Sequence, residues 1–215
     1  MAGRKGKNKA KKREKAKGQK LSKSTRQPEF QMAILQALSN LLEQDAQEIS
    51  LADVAHKLGV SEEGVRYHFS CRKALFRVLA GYMREHLLRP VEQVAAESED
   101  PLRQLGRLWR YQGDFFRNHP GLYRLFLLDP VIPESVRQTV AADVGNYRSR
   151  LAAILTSGRD QGAFTHDLPV DAAVNLFVGL LRSHALESGR RTLAAPQSDQ
   201  AWNELWPLFA RAIGA

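Results

Sequence analysis

The chain has 215 residues, a formal net charge of +9 and a single cysteine, Cys71. This length can bury the core of one sizeable helical domain and a small one without a metal or disulfide, and a single cysteine excludes an intrachain disulfide. No apolar run approaches the roughly 18 residues of a spanning helix, and the first 30 residues lack the apolar stretch of a secretory signal, so we expect a cytoplasmic protein with no membrane contact.

The positive charge is concentrated in residues 1–27, the basic N-terminal segment. It carries twelve Lys or Arg against one Glu, a net charge of +11, whereas the remaining chain carries 20 basic and 22 acidic residues. Because this segment has almost no apolar residues, we expect it to be disordered in isolation. Its cations can neutralise phosphates and so give salt-sensitive, sequence-independent binding to nucleic acid. A purely solubilising tail is the alternative.

Pro28 marks the end of the basic N-terminal segment, and apolar residues at helical spacing then predict a helix from Phe30 to about Glu43. Two short helices are predicted between Ser50 and Phe69. Apolar residues recur at helical spacing in both short helices: Leu51, Val54, Ala55 and Leu58 in the first, Val65 and Phe69 in the second. Ser50 and Ser61 stand at N-cap positions, and Gly59 suits a left-handed backbone in the turn. This spacing predicts a helix-turn-helix, the unit that inserts a recognition helix into DNA. An ordinary helical hairpin is the alternative.

The outward face of the second short helix carries Glu62, Glu63, Arg66 and Tyr67. Carboxylates near DNA repel phosphates unless they face cytosine amino groups, whereas arginine matches the acceptor edge of guanine. Arg66 is therefore the best candidate for a base contact, with a phosphate contact as the alternative.

Longer helices are predicted after Phe69. The next one is expected to end near Pro90, and others follow over about 102–118, over LYRLFLLDP and from Pro133 to about Gln161. We expect an all-α fold, with a helix-turn-helix DNA-binding domain at 28–75 and a larger helical regulatory and dimerisation domain at 76–215.

The run VSEEGVRYHFSCRKAL, with a bracing helix before it and helix-rich sequence after it, resembles the TetR family of bacterial transcriptional repressors. The resemblance implies that Tyr67, His68 and Arg72 contact phosphates and that Phe69 packs in the core. The expected DNA-binding set is Ser50, Ser61, Glu63, Gly64, Arg66, Tyr67, His68 and Arg72.

This run departs from the family pattern at three positions. Arg72 stands where lysine is usual, and Cys71 stands where a serine cap is usual, so Ser70 could cap the following helix instead. Gly64 should weaken the recognition helix by roughly 0.5 to 1 kcal/mol.

The last two predicted helices are apolar around much of their circumference. A helix of this kind must be buried on several sides. In the family, the last two helices of each subunit pair across a two-fold axis, which implies a homodimer on a palindromic operator. The expected interface residues are Phe177, Leu180, Leu181, Trp202, Leu205, Trp206 and Phe209. A larger monomeric core is the alternative.

The resemblance also implies a pocket for a small-molecule effector in the helical domain. The sequence names no ligand. Candidate lining residues are aromatic or mixed groups at helical spacing, which more often form core: Trp109, Phe116, Tyr123, Tyr147 and His184.

No cofactor, metal site or enzymatic activity is expected. The chain lacks a phosphate-binding glycine loop, a G-x-S-x-G sequence and an H-E-x-x-H sequence. His68 and Cys71 lie three positions apart, but a zinc site needs more ligands than the neighbouring sequence offers.

Two other functions remain open. NHPGLYRLF and WNELWPLFARAI resemble the nucleoid-occlusion branch of the same family, which binds DNA and acts on the division machinery. A largely sequence-blind nucleic-acid-binding protein, driven by the basic N-terminal segment, is the other possibility.

Overall fold

A computed structural model describes residues 28–44, 48–97, 100–119, 121–190 and 197–215. The basic N-terminal segment, with its predicted disorder, lies outside the described residues. Within them all regular structure is helical. The α-helices are α1 (Pro28–Glu43), α2 (Leu51–Leu58), α3 (Glu62–His68), α4 (Arg72–Met83), α5 (Arg89–Ala96), α6 (Pro101–Asn118), α7 (Leu122–Phe126), α8 (Glu134–Asp160), α9 (Val170–Arg190) and α10 (Gln197–Ala212).

The helix-turn-helix forms as its sequence predicts. Ser50 caps α2 in a full capping box with Asp53: the Ser50 hydroxyl accepts from the Asp53 N–H, and the Asp53 carboxylate accepts from the Ser50 N–H. Gly59 ends α2 with φ of +65°, a left-handed conformation that a residue without Cβ adopts at little cost. Val54, Val65 and Phe69 are buried where α2 and α3 meet.

The helix after Phe69 does not end near Pro90. It runs on through a π-helical segment, Arg84–Leu88, directly into α5, which has Pro90 in its first turn. Proline lacks an N–H, so the carbonyl of His86, four residues earlier, loses its helical donor. The Tyr111 hydroxyl donates to this carbonyl at 2.7 Å and replaces that donor. The wider π turn and a partner from α6 therefore allow the helix to pass the proline.

The body of the molecule is formed by α6, α8, α9 and α10, which pack on one another. Its centre is aromatic: the rings of Trp109 and Trp202 stack with centroids 3.9 Å apart, and Phe177 and Phe209 pack around Trp109. An added Cβ at Gly113 would lie 2.1 Å from Trp202 Nε1, so the absence of a side chain there makes room for the indole. The close fit of α10 on α6 depends on this glycine.

No helix in the described part of the chain combines the length and the apolar character that crossing a bilayer requires.

Candidate nucleic-acid interface

The helix α3, the second helix of the helix-turn-helix, is held in place by a cap at its start and by two buried side chains. The Ser61 hydroxyl caps its start by accepting from the Gly64 N–H at 3.2 Å. Val65 and Phe69 are buried on its inner side. The opposite side of α3 is therefore presented to solvent, as the sequence predicts.

The outer face of α3 presents an aromatic ring and a paired arginine. Tyr67 is 62% exposed, an unusual placement for a large aromatic side chain. Arg66 donates through Nε and Nη2 to the same oxygen of Glu62, at 2.9 and 2.6 Å. Glu63 is exposed beside them. The pair partly neutralises Glu62, which reduces the repulsion expected between this helix and phosphates.

His68 lies between this face and the core. Its ring centroid is 5.0 Å from that of Phe30 in α1, and the ring meets Tyr67 nearly edge-on at 5.3 Å. Nε2 is buried and has no hydrogen-bond partner among the described residues. The expected phosphate contact therefore cannot use Nε2 in this conformation, because packing against α1 covers that nitrogen.

Arg72 is not presented to solvent as a phosphate contact would require. Its Nε donates to the Ile49 carbonyl at 2.7 Å, and its Nη2 donates to the carbonyl of Val131. The guanidinium carbon also lies 5.0 Å from the centre of the Phe76 ring. In this conformation the side chain is engaged within the protein, contrary to the expectation from family resemblance.

The cap of α4 also differs from the expectation. Cys71, and not Ser70, occupies the N-cap position with an extended backbone, and its side chain makes no capping hydrogen bond.

A second arginine, which fixes the loop that carries the Val131 carbonyl, is absent from the predicted set. Arg124 is buried in α7, where its Nε and Nη2 donate to the two carboxylate oxygens of Asp129 at 2.9 and 3.1 Å. Its Nη1 donates to the carbonyl of Leu42 in α1 at 3.0 Å. The sequence does hold a sign of this role, since a single arginine interrupts the apolar run LYRLFLL and an aspartate follows at once.

The chain resembles curated proteins over about half of its length. No family model matches the chain. The nucleoid occlusion factor SlmA of Aliivibrio fischeri is 30% identical over 102 residues, which are 46% of this chain and 52% of that protein. The chain thus spans about half the length of the curated relatives it matches.

Solved structures match over most of the chain. A TetR-family transcriptional regulator from Agrobacterium tumefaciens superposes with a TM-score of 0.67 at 23% identity, covering 88% of this chain and 100% of that one. The chain has the fold of the TetR family. AibR, crystallised with isovaleryl coenzyme A and operator DNA, has a TM-score of 0.67 at 14% identity, covering 83% of this chain and 96% of that one.

The interface residues expected from the TetR resemblance fall into two groups. Four of them lie inside the protomer and are at most 2% exposed: Phe177, Leu181, Trp202 and Phe209. They are core residues of the single chain, in which Phe177, Trp202 and Phe209 pack against Trp109 of α6. The other three are partly exposed: Leu180, Leu205 and Trp206. Two exposed leucines on the same helices, Leu176 (40%) and Leu208 (52%), are absent from the predicted set.

Most of the effector-pocket candidates are packed into the centre of this TetR-type body. Trp109 and Phe116 are buried among other aromatic rings. His184 stacks on Trp202 at 4.3 Å, and its Nε2 lies 3.2 Å from the Gly113 carbonyl. Tyr123 is half-buried against the same core.

Tyr147 occupies a different environment. It borders a cleft of about 150 Å³ between the π-helical segment and α8, whose polar rim includes the ion pair of Arg84 with Asp143 at 2.7 Å. Its hydroxyl donates to the Gln112 side-chain oxygen at 3.2 Å, and burial raises its pKa well above the usual value. The phenol therefore stays neutral and acts as a hydrogen-bond donor.

Proposed function

We propose that this protein is a sequence-specific DNA-binding transcriptional regulator that acts as a homodimer on a palindromic operator. The outward face of α3 supports the proposal most directly. The inner side of α3 packs in the core, whereas its outer side presents an exposed tyrosine and an arginine to solvent. Exposure of a large aromatic ring costs free energy of hydration, and contact with DNA would recover it.

Within this proposal, Arg66 contacts base edges and Tyr67 contacts phosphate. Leaving Glu62 costs Arg66 little, because an exposed i,i+4 ion pair contributes only about 0.3 to 0.5 kcal/mol. A bidentate contact of arginine with guanine is worth about 1 to 3 kcal/mol of discrimination. Exchange of the Glu62 ion pair for a guanine contact is therefore favourable for Arg66.

The basic N-terminal segment adds affinity without adding sequence preference. The outer face of α3 carries two carboxylates and one arginine, so α3 alone has little positive charge to offer phosphates. The segment precedes α1 directly and carries a net charge of +11 from twelve basic residues and one acidic residue. Its removal should lower the salt dependence of DNA binding and leave discrimination between sequences intact.

The test compares two substitutions on DNA selected by the wild-type protein. Arg66→Ala should change which sequences are preferred, whereas Tyr67→Ala should weaken binding to all sequences by a similar factor. Arg150→Ala, which removes an equal charge from an exposed site on α8, serves as the control. If neither change on α3 altered binding while deletion of residues 1–27 abolished discrimination, the helix-turn-helix would not be the sequence-specific element.

Dimerisation is proposed through the exposed leucines of α9 and α10. Leu176 and Leu180 lie one turn apart on α9, and Leu205 and Leu208 lie on one side of α10. Leu176 and Leu208 are exposed, and Leu180 and Leu205 are partly exposed. Two such apolar stripes on neighbouring helices are typical of a helix-bundle interface. The interface thus uses the outer sides of the same helices whose inner sides form the aromatic core.

We also propose that a small-molecule effector releases the protein from its operator. A solved neighbour of the same fold was crystallised with isovaleryl coenzyme A and operator DNA. In this chain Tyr147 and the polar cleft beside the π-helical segment offer hydrogen-bonding groups next to a buried phenol. A metabolite library screened for compounds that raise the melting temperature and lower operator affinity tests for an effector.

Nucleoid occlusion is the second candidate, and the match to SlmA over half of that protein favours it. The two functions predict different distributions of sites on a chromosome. A regulator should occupy a few sites near the genes it controls, whereas an occlusion factor should occupy many scattered sites. Both place the protein on the nucleoid, and neither involves catalysis or a cofactor.

A further inference from the structure

Arg72 joins three parts of the molecule. It belongs to the first turn of α4, and it donates to the carbonyl of Ile49, in the loop that leads into α2, and to the carbonyl of Val131, in the loop between α7 and α8. Both acceptor residues are buried, at 1% and 4% exposure. The guanidinium thus lies where the helix-turn-helix meets the helical body.

The loop that carries the Val131 carbonyl is itself fixed by charge. One carboxylate oxygen of Asp129 accepts from the Val131 N–H at 2.9 Å, while Arg124 donates to both oxygens of Asp129. Arg124 in turn donates to the Leu42 carbonyl at the end of α1. We call Arg72, Arg124 and Asp129, with the three carbonyls of Leu42, Ile49 and Val131, the junction cluster.

The main chains at this junction are also in direct contact. An added Cβ at Gly121 would lie 1.9 Å from the Ser39 carbonyl oxygen of α1. The start of α7 therefore lies against α1 with no room for a side chain. The body and the DNA-binding helices meet here through backbone contact and hydrogen bonds with little tolerance for displacement.

Moving Arg72 onto a phosphate would leave two carbonyl groups without their donor. A buried carbonyl without a donor raises the free energy of the folded protein. A contact of Arg72 with a phosphate at the DNA surface is screened by salt, so it stabilises the complex by less than the two lost hydrogen bonds stabilise the protein. The planar fork of arginine can serve both carbonyls at once, whereas a lysine ammonium on a flexible stem lacks that geometry. Lys73, the next residue of α4, is exposed and offers a cation without this cost.

We propose that Arg72 is a positioning residue that holds the helix-turn-helix on the helical body through the junction cluster, and that it keeps these contacts on DNA. The part of this inference that concerns DNA rests on the proposed function. On DNA, Lys73 is the residue of α4 that contacts a phosphate.

The first experiment measures the salt dependence of operator affinity for Arg72→Ala, Arg72→Lys and the control Lys73→Ala. Both Arg72 variants should lose affinity by a similar factor, on the order of tenfold, with the slope of log K against log salt unchanged. Lys73→Ala should reduce the magnitude of that slope by about 0.9, the value for one phosphate contact. A slope reduced by about 0.9 in Arg72→Ala and restored in Arg72→Lys would show that Arg72 is a phosphate ligand and would overturn the proposal.

The second experiment needs no DNA, so it separates failure of this inference from failure of the proposed function. Hydrogen exchange of the full-length protein should speed up in peptides covering residues 48–58 and 121–133 in Arg72→Lys, and Lys73→Ala should match the wild type. Arg72→Lys keeps the charge and most of the side chain, so it remains informative if Arg72→Ala fails to fold. Unchanged exchange in both regions for Arg72→Lys would show that Arg72 does not hold the junction.

Discussion

At the scale of single residues, Gly64 in the recognition helix has room for a side chain. A Cβ added there would lie 3.5 Å from the Ser61 hydroxyl oxygen, an ordinary van der Waals contact, and its backbone is helical. Glycine in a helix interior costs about 0.5 to 1 kcal/mol relative to alanine. Gly64→Ala should therefore raise the free energy of unfolding by that amount, which chemical denaturation can measure. A decrease would contradict the cap geometry of α3.

Gly121 is the opposite case, because its missing side chain is required by the main chain of α1. The 1.9 Å separation between an added Cβ and the Ser39 carbonyl oxygen cannot be relieved by a change of rotamer. We expect Gly121→Ala to lower the free energy of unfolding by about 3 kcal/mol. Gly81→Ala is the matched control, since no atom lies within 4 Å of a Cβ at that position. Equal stability of the two variants would show that α7 does not approach α1 this closely.

At the scale of elements, the ion pair of Arg124 with Asp129 joins α7 to the loop before α8. Burial is the largest single influence on the pKa of Asp129 and raises it. Hydrogen bonds from Arg124 and the Val131 N–H, together with the charges of Arg124 and Arg137, lower the pKa by more than burial raises it. The pKa of Asp129 therefore lies below its usual value. A carboxyl whose pKa is lower in the folded state stabilises that state above its unfolded pKa of about 3.9. This contribution is lost as the pH falls through the folded pKa.

Asp129→Asn should reduce the free energy of unfolding by about 2 kcal/mol at neutral pH, because it leaves the nearly buried Arg124 without its counter-ion. The difference from wild type should shrink as the pH falls below about 4. Asp114→Asn, which breaks an exposed i,i+3 pair with Arg117, should change stability by less than about 0.5 kcal/mol. Denaturant titrations over the acid range measure both, and a difference independent of pH would argue against an ionised Asp129.

The sequence predicted the local elements well because their determinants are local. Caps, a turn glycine and apolar spacing decide the helix-turn-helix within twenty residues, Ser50 to Phe69. The expected helix end near Pro90 was wrong because the donor that the His86 carbonyl needs is the Tyr111 hydroxyl, which belongs to another helix. The local sequence does not reveal the role of Arg72 either, because the residue that carries one of its acceptor carbonyls, Val131, lies 59 residues away.

At the scale of the whole molecule, α9 and α10 carry apolar residues on both their buried and their exposed sides, and their sequence does not separate the two. Phe177 and Leu176 are neighbours in an apolar run, yet the first is fully buried and the second is 40% exposed. Only the placement of α6 and α8 decides which side of α9 is core. The number of apolar residues in these helices predicts a surface for a second subunit. Which of the residues lie in the core and which lie on that surface follows only from the structure.

The exposed side of these helices should control the oligomeric state. Leu176→Glu with Leu208→Glu should convert a dimer to a monomer at micromolar concentration, because each subunit would bury two charges without partners in the interface. Val78→Glu, at an exposed apolar site on α4, should leave the dimer intact. Light scattering gives the mass directly, and a monomeric wild-type protein would refute the dimer.

Sequence recognition by α3 is tested by sequencing the genomic fragments that the purified full-length protein retains. We expect a short palindromic motif shared by the retained fragments, and its loss in the double variant Arg66→Ala with Tyr67→Ala. Retained fragments with no shared motif, in the same amount for wild type and double variant, would contradict sequence recognition by α3.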